Sequence, residues 1–331
     1  MANAGFWQSL NIPFTVLAPM EDVTDTVFRQ LISAWGAPDV YVTEFVNVDG
    51  MCSAGRDAVI HRLRHSEIER PLVAQIWGLK PENFKTAAGD IREMGFAGID
   101  INMGCPVKKI VKTGACSALI ENPSLAEEMI IATKEGAGDL PVSVKTRIGF
   151  KKRKTLEWTG FLLEHDIAAL TVHGRISKDM SDVPADWNEI KRVVGLRNEM
   201  EISTLIIGNG DIENRGQIGA FHNEYGVDGV MVGRGIFVNP LLFREDGGEY
   251  RKLSFEEKAG YLKQHIALYR ETWGDKRNFN VMKKFVKVYI RGFSGASTLR
   301  GRLMDTSSYE DMQAILELSI KETGQLLRRQ K

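Results

Sequence analysis

Eight times in succession the chain passes through a short, almost wholly apolar segment and then through one with helical periodicity. No other feature limits the fold so tightly. Short apolar runs separated by helices read as strands buried on both faces, and strands joined by helical crossovers run parallel. Strands are expected over residues 14–18, 40–44, 72–77, 98–102, 141–146, 168–173, 203–207 and 228–232, all too apolar to alternate. The spacing predicts helices over 25–35, 81–94, 123–135, 155–165 and 187–197, and another near Phe221. A polar excursion with one short helix, residues 47–70, interrupts the rhythm after the second strand. Eight such units close most simply into a (β/α)8 TIM barrel. A doubly wound open sheet lacks support, because no glycine fingerprint joins the first strand to its helix.

Beyond Glu245 the pattern turns helical, over 254–273, 280–292 and 309–329, with Gly247 and Gly248 as a linker. The expected division is a barrel domain, 1–245, and a small all-α C-terminal domain, 246–331. Charge follows that division. The 331-residue chain is formally neutral, with 43 basic and 43 acidic residues, yet residues 246–331 hold 17 Lys+Arg against 11 Asp+Glu. Such asymmetry suits a tail that meets a polyanion. No apolar run is long enough to span a bilayer and no charged-then-apolar leader opens the chain, so a cytoplasmic protein is expected. Three scattered cysteines, Cys52, Cys105 and Cys116, exclude a disulfide framework, a paired-cysteine zinc site and an iron–sulfur cluster.

In a TIM barrel the C-terminal strand ends form the active site. Those ends carry Ala18, Pro19 and Met20, then Glu44, Gln75, Asn102 with Cys105, Lys145, His173, Asn209-Gly210-Asp211 and Gly233-Arg234. The glycine pairs Gly208/Gly210 and Gly233/Gly235 follow strands seven and eight, where backbone amides of barrels hold phosphate, and Arg234 would add a charged fork. A phosphorylated cofactor is the natural occupant. Lys145 would stabilise an anion formed inside the rim, such as a reduced flavin ring. His173 could hydrogen-bond a flavin or a pyrimidine, and Gln75 offers both donor and acceptor. The turn after strand four, IDINMGCPVKK, presents Cys105 on a backbone that Gly104 lets tighten and Pro106 stiffens, with Lys108 and Lys109 directly after it.

These segments, APMEDVTD, the strand carrying Gln75, DINMGCPVKK, VKTRIGF, TVHGR, GNGD and VMVGRG, occur in the order found in the tRNA-dihydrouridine synthases, which the chain resembles over barrel and tail. The resemblance implies an FMN enzyme that uses NADPH to reduce selected uridines of tRNA to dihydrouridine. It implies that Ala18, Pro19 and Met20 line the flavin ring and that Gln75, Lys145 and His173 hydrogen-bond it. Asn209, Gly210 and Asp211, with Gly233 and Arg234, would hold the ribityl chain and phosphate. Cys105 would be the proton donor and Asn102 would help hold the uracil. A thiol of ordinary pKa, about 8.5, is mostly protonated near neutrality and suits that role if nothing lowers its pKa strongly. A monomer is the family default.

A uridine inside folded tRNA must be turned outward to react, so the RNA backbone needs anchoring around it. From Lys276 to Met304 there are eight basic residues and no acidic one. Lys283, Lys287 and Arg291 recur every fourth residue, as one helix face for phosphates requires. Lys108, Arg175 and the KKRK loop, 151–154, are further candidate RNA contacts. Cys116 reads as packing. His61 and His65, four apart, read as an exposed helix face, and no metal site is expected. A flavin barrel acting on free pyrimidines would not need the basic tail; a non-catalytic RNA-binding protein would not need the rim.

Overall fold

The computed structural model of the chain describes residues 4–329. Its strands are β1 (Phe14–Leu17), β2 (Val40–Val42), β3 (Val46–Asn47), β4 (Leu72–Trp77), β5 (Gly98–Met103), β6 (Val142–Arg147), β7 (Ala169–His173), β8 (Leu205–Asn209) and β9 (Gly229–Val232). All pairings are parallel. β1 pairs with β2 and β9, β2 with β4, and β4 to β9 pair in succession, so eight strands close a TIM barrel. The remaining strand, β3, resumes the line of β2 after a break at Thr43–Phe45, and Val46 there pairs with Ile76. The Thr43 hydroxyl fills the gap by accepting the Gln75 N–H at 3.0 Å. The break turns Glu44 toward the Asp22 N–H, which its carboxylate accepts. Burial, helped by the nearby Asp25 and Glu21 carboxylates, pushes the Glu44 carboxyl up to about 7.

The expectation that the strands are too apolar to alternate is corrected here. Phe14, Val16, Val40, Val42, Val73, Ala169, Ile207 and Met231 form one apolar cluster inside the barrel. β5 and β6 do alternate, with Asp100 and Asn102 on one and Ser143, Lys145 and Arg147 on the other. Asp100, Asn102 and Ser143, with Gln75 of β4, bond to one another across the strands. Ser143 donates to Asp100 at 2.7 Å, Gln75 donates to the same carboxylate at 2.7 Å, and Asn102 donates to Gln75 Oε1 at 2.9 Å. These four side chains form a polar network, which holds its register by mutual satisfaction.

The excursion after β3 contains one short helix, Val48–Met51, as expected, followed by three 3-10 turns. It is pinned to the first barrel helix, Thr26–Gly36, by an ion pair between Arg29 and Glu69 at 2.6 Å, both side chains fully buried. Arg29 also donates to the carbonyls of Thr24 and Arg64, and Glu69 accepts from Thr26 and the Ser66 N–H. His61 lies in a 3-10 turn and His65 beyond it, so they do not share a helix face as expected. Each packs against an aromatic ring, Trp273 and Phe96 respectively.

The C-terminal region is helical over Phe255–Trp273, Lys283–Tyr289, Ala296–Met304 and Tyr309–Arg329. The sequence reading missed Ala296–Met304. Phe255–Trp273 starts where Ser254 and Glu257 cap each other reciprocally and stops at Gly274, whose φ of 50° most side chains avoid. This helix and Lys283–Tyr289 both pack on Thr26–Gly36: Trp35 meets Tyr261 of the first and Tyr289 of the second edge-on, and Phe28 stacks on Phe285 of the second with centroids 5.5 Å apart. One apolar core runs from the barrel helices into this region. No helix among the described residues is long and apolar enough to cross a membrane.

Candidate active site

Register assembles the rim. Asn102 sits beside Lys145, Arg147 beside His173, His173 beside Asn209, and Asn209 beside Met231. These strand ends, with the segments after β1, β8 and β9, enclose a cavity of about 370 Å³, within the usual range for small-molecule sites. Ten of the eleven expected cofactor residues line it: Ala18, Pro19, Met20, Lys145, His173, Asn209, Gly210, Asp211, Gly233 and Arg234. The eleventh, Gln75, is fully buried and occupied by Asp100 and Asn102, so it does not reach the cavity as a free edge. The sequence reading missed Ile212, Glu213, Met231 and Val238; apolar or singly charged, they carried no signal.

Two features of the cavity favour an anionic guest. The Lys145 ammonium forms no hydrogen bond or ion pair with another of the described residues, and burial beside Arg147 lowers its pKa to about 8. An unpaired ammonium in a half-enclosed site attracts a carbonyl or an anion. Gly210 has φ 131°, and a Cβ there would fall 2.5 Å from that of Ala185. Only glycine leaves this turn tight and open.

Arg175 departs from expectation. It was expected to touch RNA, yet it is 4% exposed. Its guanidinium grips both Asp211 oxygens, at 2.7 and 2.6 Å, and the Val183 carbonyl. It also donates to His173 Nε2 at 3.0 Å. An arginine spent in this way shapes the cavity wall and is not free for phosphates outside it. Nε2 of His173 therefore accepts, which assigns the proton of the neutral ring to Nδ1. Burial and the surrounding Lys145, Arg147, Arg175 and Arg234 charges hold the His173 pKa well below its ordinary value, so the ring is neutral. Asp211 pairs with Arg175 and stands 3.7 Å from Arg234. Its carboxylate organises the cations, while the glycine amides around it carry no such charge.

Asn102 also departs from expectation. Its Oδ1 accepts the N–H groups of Gly104 and Cys105, at 3.1 and 2.9 Å, and its amide donates to Gln75. It fixes the turn that carries Cys105. Arg147 holds the same turn by donating to the Gly104 carbonyl at 2.8 Å. Cys105 itself is half-buried. The neighbouring Cys116 thiol, assisted by the Val107 amide and by Arg147 and Lys145, outweighs burial and lowers the Cys105 pKa to about 7. The premise of an unperturbed thiol is thus corrected.

The expected RNA stripe is only partly free. Lys287 is exposed and makes no hydrogen bond or ion pair with a described residue, while Lys283 lies over the Phe279 ring. Arg291 lies beyond the helix and donates to the Phe237 and Val238 carbonyls of the barrel, so it seats the tail. Arg277 and Lys284 face Asp22 and Asp25. Lys276 and Arg302 are exposed, as is Lys108 beside the Cys105 turn. In the KKRK loop, Arg153 pairs with Asp186 and Lys154 with Glu121, leaving Lys151 and Lys152 exposed. Among the described residues no group of side chains has metal-site geometry.

A family model described as dihydrouridine synthase matches residues 16–324. The chain is 45% identical over 315 residues to the probable tRNA-dihydrouridine synthase 2 of Bacillus subtilis (strain 168), covering 94% of this chain and 95% of that protein. It is equally similar, 45% over 315 residues, to the probable tRNA-dihydrouridine synthase of Staphylococcus aureus (strain COL), covering 94% of each. Among solved structures, a morphinone reductase mutant in complex with tetrahydroNAD superposes with a TM-score of 0.51 at 13% identity, over 71% of this chain and 86% of that one. That likeness is one of fold. Because the family model and the relatives span nearly the whole chain, barrel and tail together, the chain belongs to the dihydrouridine synthase family.

Proposed function

We propose that the protein is a tRNA-dihydrouridine synthase that reduces the 5,6 double bond of selected uridines with FMN and NADPH. Residues 1–245 would act as the catalytic unit and residues 246–331 as the RNA-binding unit. The observation that carries this reading is the cavity itself, where an unpaired Lys145 ammonium faces the same space as the glycine turns after β8 and β9. The residues present fit FMN. Lys145 and the Nδ1–H of His173 are donors for the ring, Ala18, Pro19 and Met20 form an apolar wall, and Gly210, Gly233 and Arg234 suit the phosphate end.

Lys145, His173 and the glycine turns after β8 and β9 would hold FMN, which when bound and reduced would supply the hydride for one carbon of the uracil. The neighbouring carbon needs a proton, and the Cys105 thiol is the group to give it. Asn102 and Arg147 hold the turn on which that thiol stands, so they orient the proton donor without being consumed. Lys145 and Arg147 favour the thiolate left behind. Exposed cations of the tail and of the 108–109 turn face the phosphates of the RNA. The class of relative that acts on tRNA, the basic tail and the cytoplasmic setting of such a substrate agree with one another.

The test uses the purified protein and its Cys105→Ala variant. Both should be yellow, with a flavin spectrum, and both should be bleached by NADPH. Only the unaltered protein should then form dihydrouridine in tRNA. A colourless protein, or near-normal tRNA turnover by the variant, would refute the cofactor or the proton donor respectively.

A further inference from the structure

Cys116 is the least expected residue near the site. It opens a 3-10 turn, Cys116–Glu121, with φ 55°, a left-handed conformation that glycine adopts freely and cysteine does not. It is 1% exposed. The backbone around it is laced to the catalytic turn: the Ser117 N–H and hydroxyl both donate to the Cys105 carbonyl, at 3.4 and 2.9 Å. That lacing holds Cys116 next to the Cys105 turn, and its thiol favours the ionised form of the Cys105 thiol. A glycine would suit this backbone better. The third cysteine, Cys52, is exposed and bonds to the Asn83 carbonyl, away from this pair.

We propose that Cys105 and Cys116 form an oxidative modification site, in which a peroxide converts the pair to an intramolecular disulfide. The chemistry balances without a further reagent. The Cys105 thiolate attacks one oxygen of hydrogen peroxide: an S–O bond forms, the O–O bond breaks and hydroxide leaves, with sulfur oxidised and peroxide reduced. Cys116 sulfur then attacks Cys105 sulfur. The S–S bond forms, the S–O bond breaks, and the departing hydroxyl takes the Cys116 proton as water. Cys105 meets the requirements for the first step, being half-buried, beside Arg147 and Lys145, and ionised in substantial part at neutral pH. Cys116, held against it and shielded from solvent, is placed for the second and not for reaction on its own. The disulfide spares Cys105 from irreversible oxidation and withdraws it from proton donation until a dithiol restores it. That last consequence rests on the role given to Cys105 above; the disulfide does not.

The holoenzyme is treated briefly with hydrogen peroxide, blocked with N-ethylmaleimide, digested with trypsin and read by mass spectrometry. Cleavage at Lys108, Lys109 and Lys112 separates the two cysteines, so the expected product is a pair of linked peptides two hydrogens lighter than their sum and parted by dithiothreitol. The Cys116→Gly variant, whose backbone suits φ 55°, should instead carry Cys105 as sulfinic or sulfonic acid that dithiothreitol does not reverse. Sulfinic acid on Cys105 of the unaltered protein with no linked peptide would overturn the proposal, as would a link to Cys52. Linked peptide with undiminished tRNA turnover would uphold the disulfide and overturn the proton-donor role of Cys105.

Discussion

A thiol that must give up a proton works only while it holds one. The Cys116 thiol and two cations bring the Cys105 pKa to about 7. The proton-transfer step should therefore be fastest below that pH and fall as the pH rises through it. Single-turnover reduction of tRNA by prereduced enzyme, followed from pH 6 to 9, should lose rate along one ionisation near 7; a flat profile would deny the thiol this part. Gly210 supports a second expectation. Alanine there, at φ 131° with its Cβ 2.5 Å from that of Ala185, would cost roughly 1–3 kcal/mol of local strain. Gly210→Ala should shed FMN more readily on dilution, read from the rise in free-flavin fluorescence, while its far-UV spectrum stays unchanged. Most rim residues were legible because packing alone rarely places polar groups at the ends of apolar strands. The duties of Asn102, Gln75 and Arg175 were not. A side chain's type shows what it can bond, but which neighbour takes that bond is decided by register and by residues far off in sequence.

At the scale of elements, the barrel strands were legible because burial on both faces leaves a strong apolar signal. Two exceptions have physical reasons. β3, at two residues, is too short to show a period, and the polar alternation of β5 and β6 is easily read as interruption of an apolar run. The 3-10 turns of the excursion have no periodicity of their own; they are placed by what they bond to. Chief among these bonds is the Arg29–Glu69 pair, 2.6 Å long with neither side chain exposed. Removing one member leaves a buried charge with no counter-ion, at a cost of about 3–5 kcal/mol. Arg29→Met should accordingly lower the unfolding midpoint in urea markedly, whereas Arg29→Met combined with Glu69→Leu should recover much of the loss. Equal destabilisation by the single and double changes would mean that packing, not charge, dominates there.

For the whole molecule, the question is how the cavity and the basic tail proposed to bind RNA are joined in one chain. The tail answers it by spending some of its positive charge on its own attachment. Arg291 is tied to the Phe237 and Val238 carbonyls just past the Gly233-Arg234 turn, and Lys284 and Arg277 to acids after β1. The helical region is thereby seated against the cavity's own loops. Counting charges in sequence could show that the tail is basic, but not which cations were already engaged. Lys287, on the same short helix as Lys284, is left exposed. The two classes should separate by salt. Lys287→Ala should weaken tRNA binding without altering thermal stability, and should reduce the slope of log affinity against log salt by about one. Arg291→Ala should instead lower the melting temperature, because two barrel carbonyls lose their donor, and its loss of tRNA affinity should follow the loosened tail. Filter-binding titrations across salt concentrations, paired with thermal melts, read both quantities; an unchanged salt slope in Lys287→Ala would remove that lysine from the RNA interface.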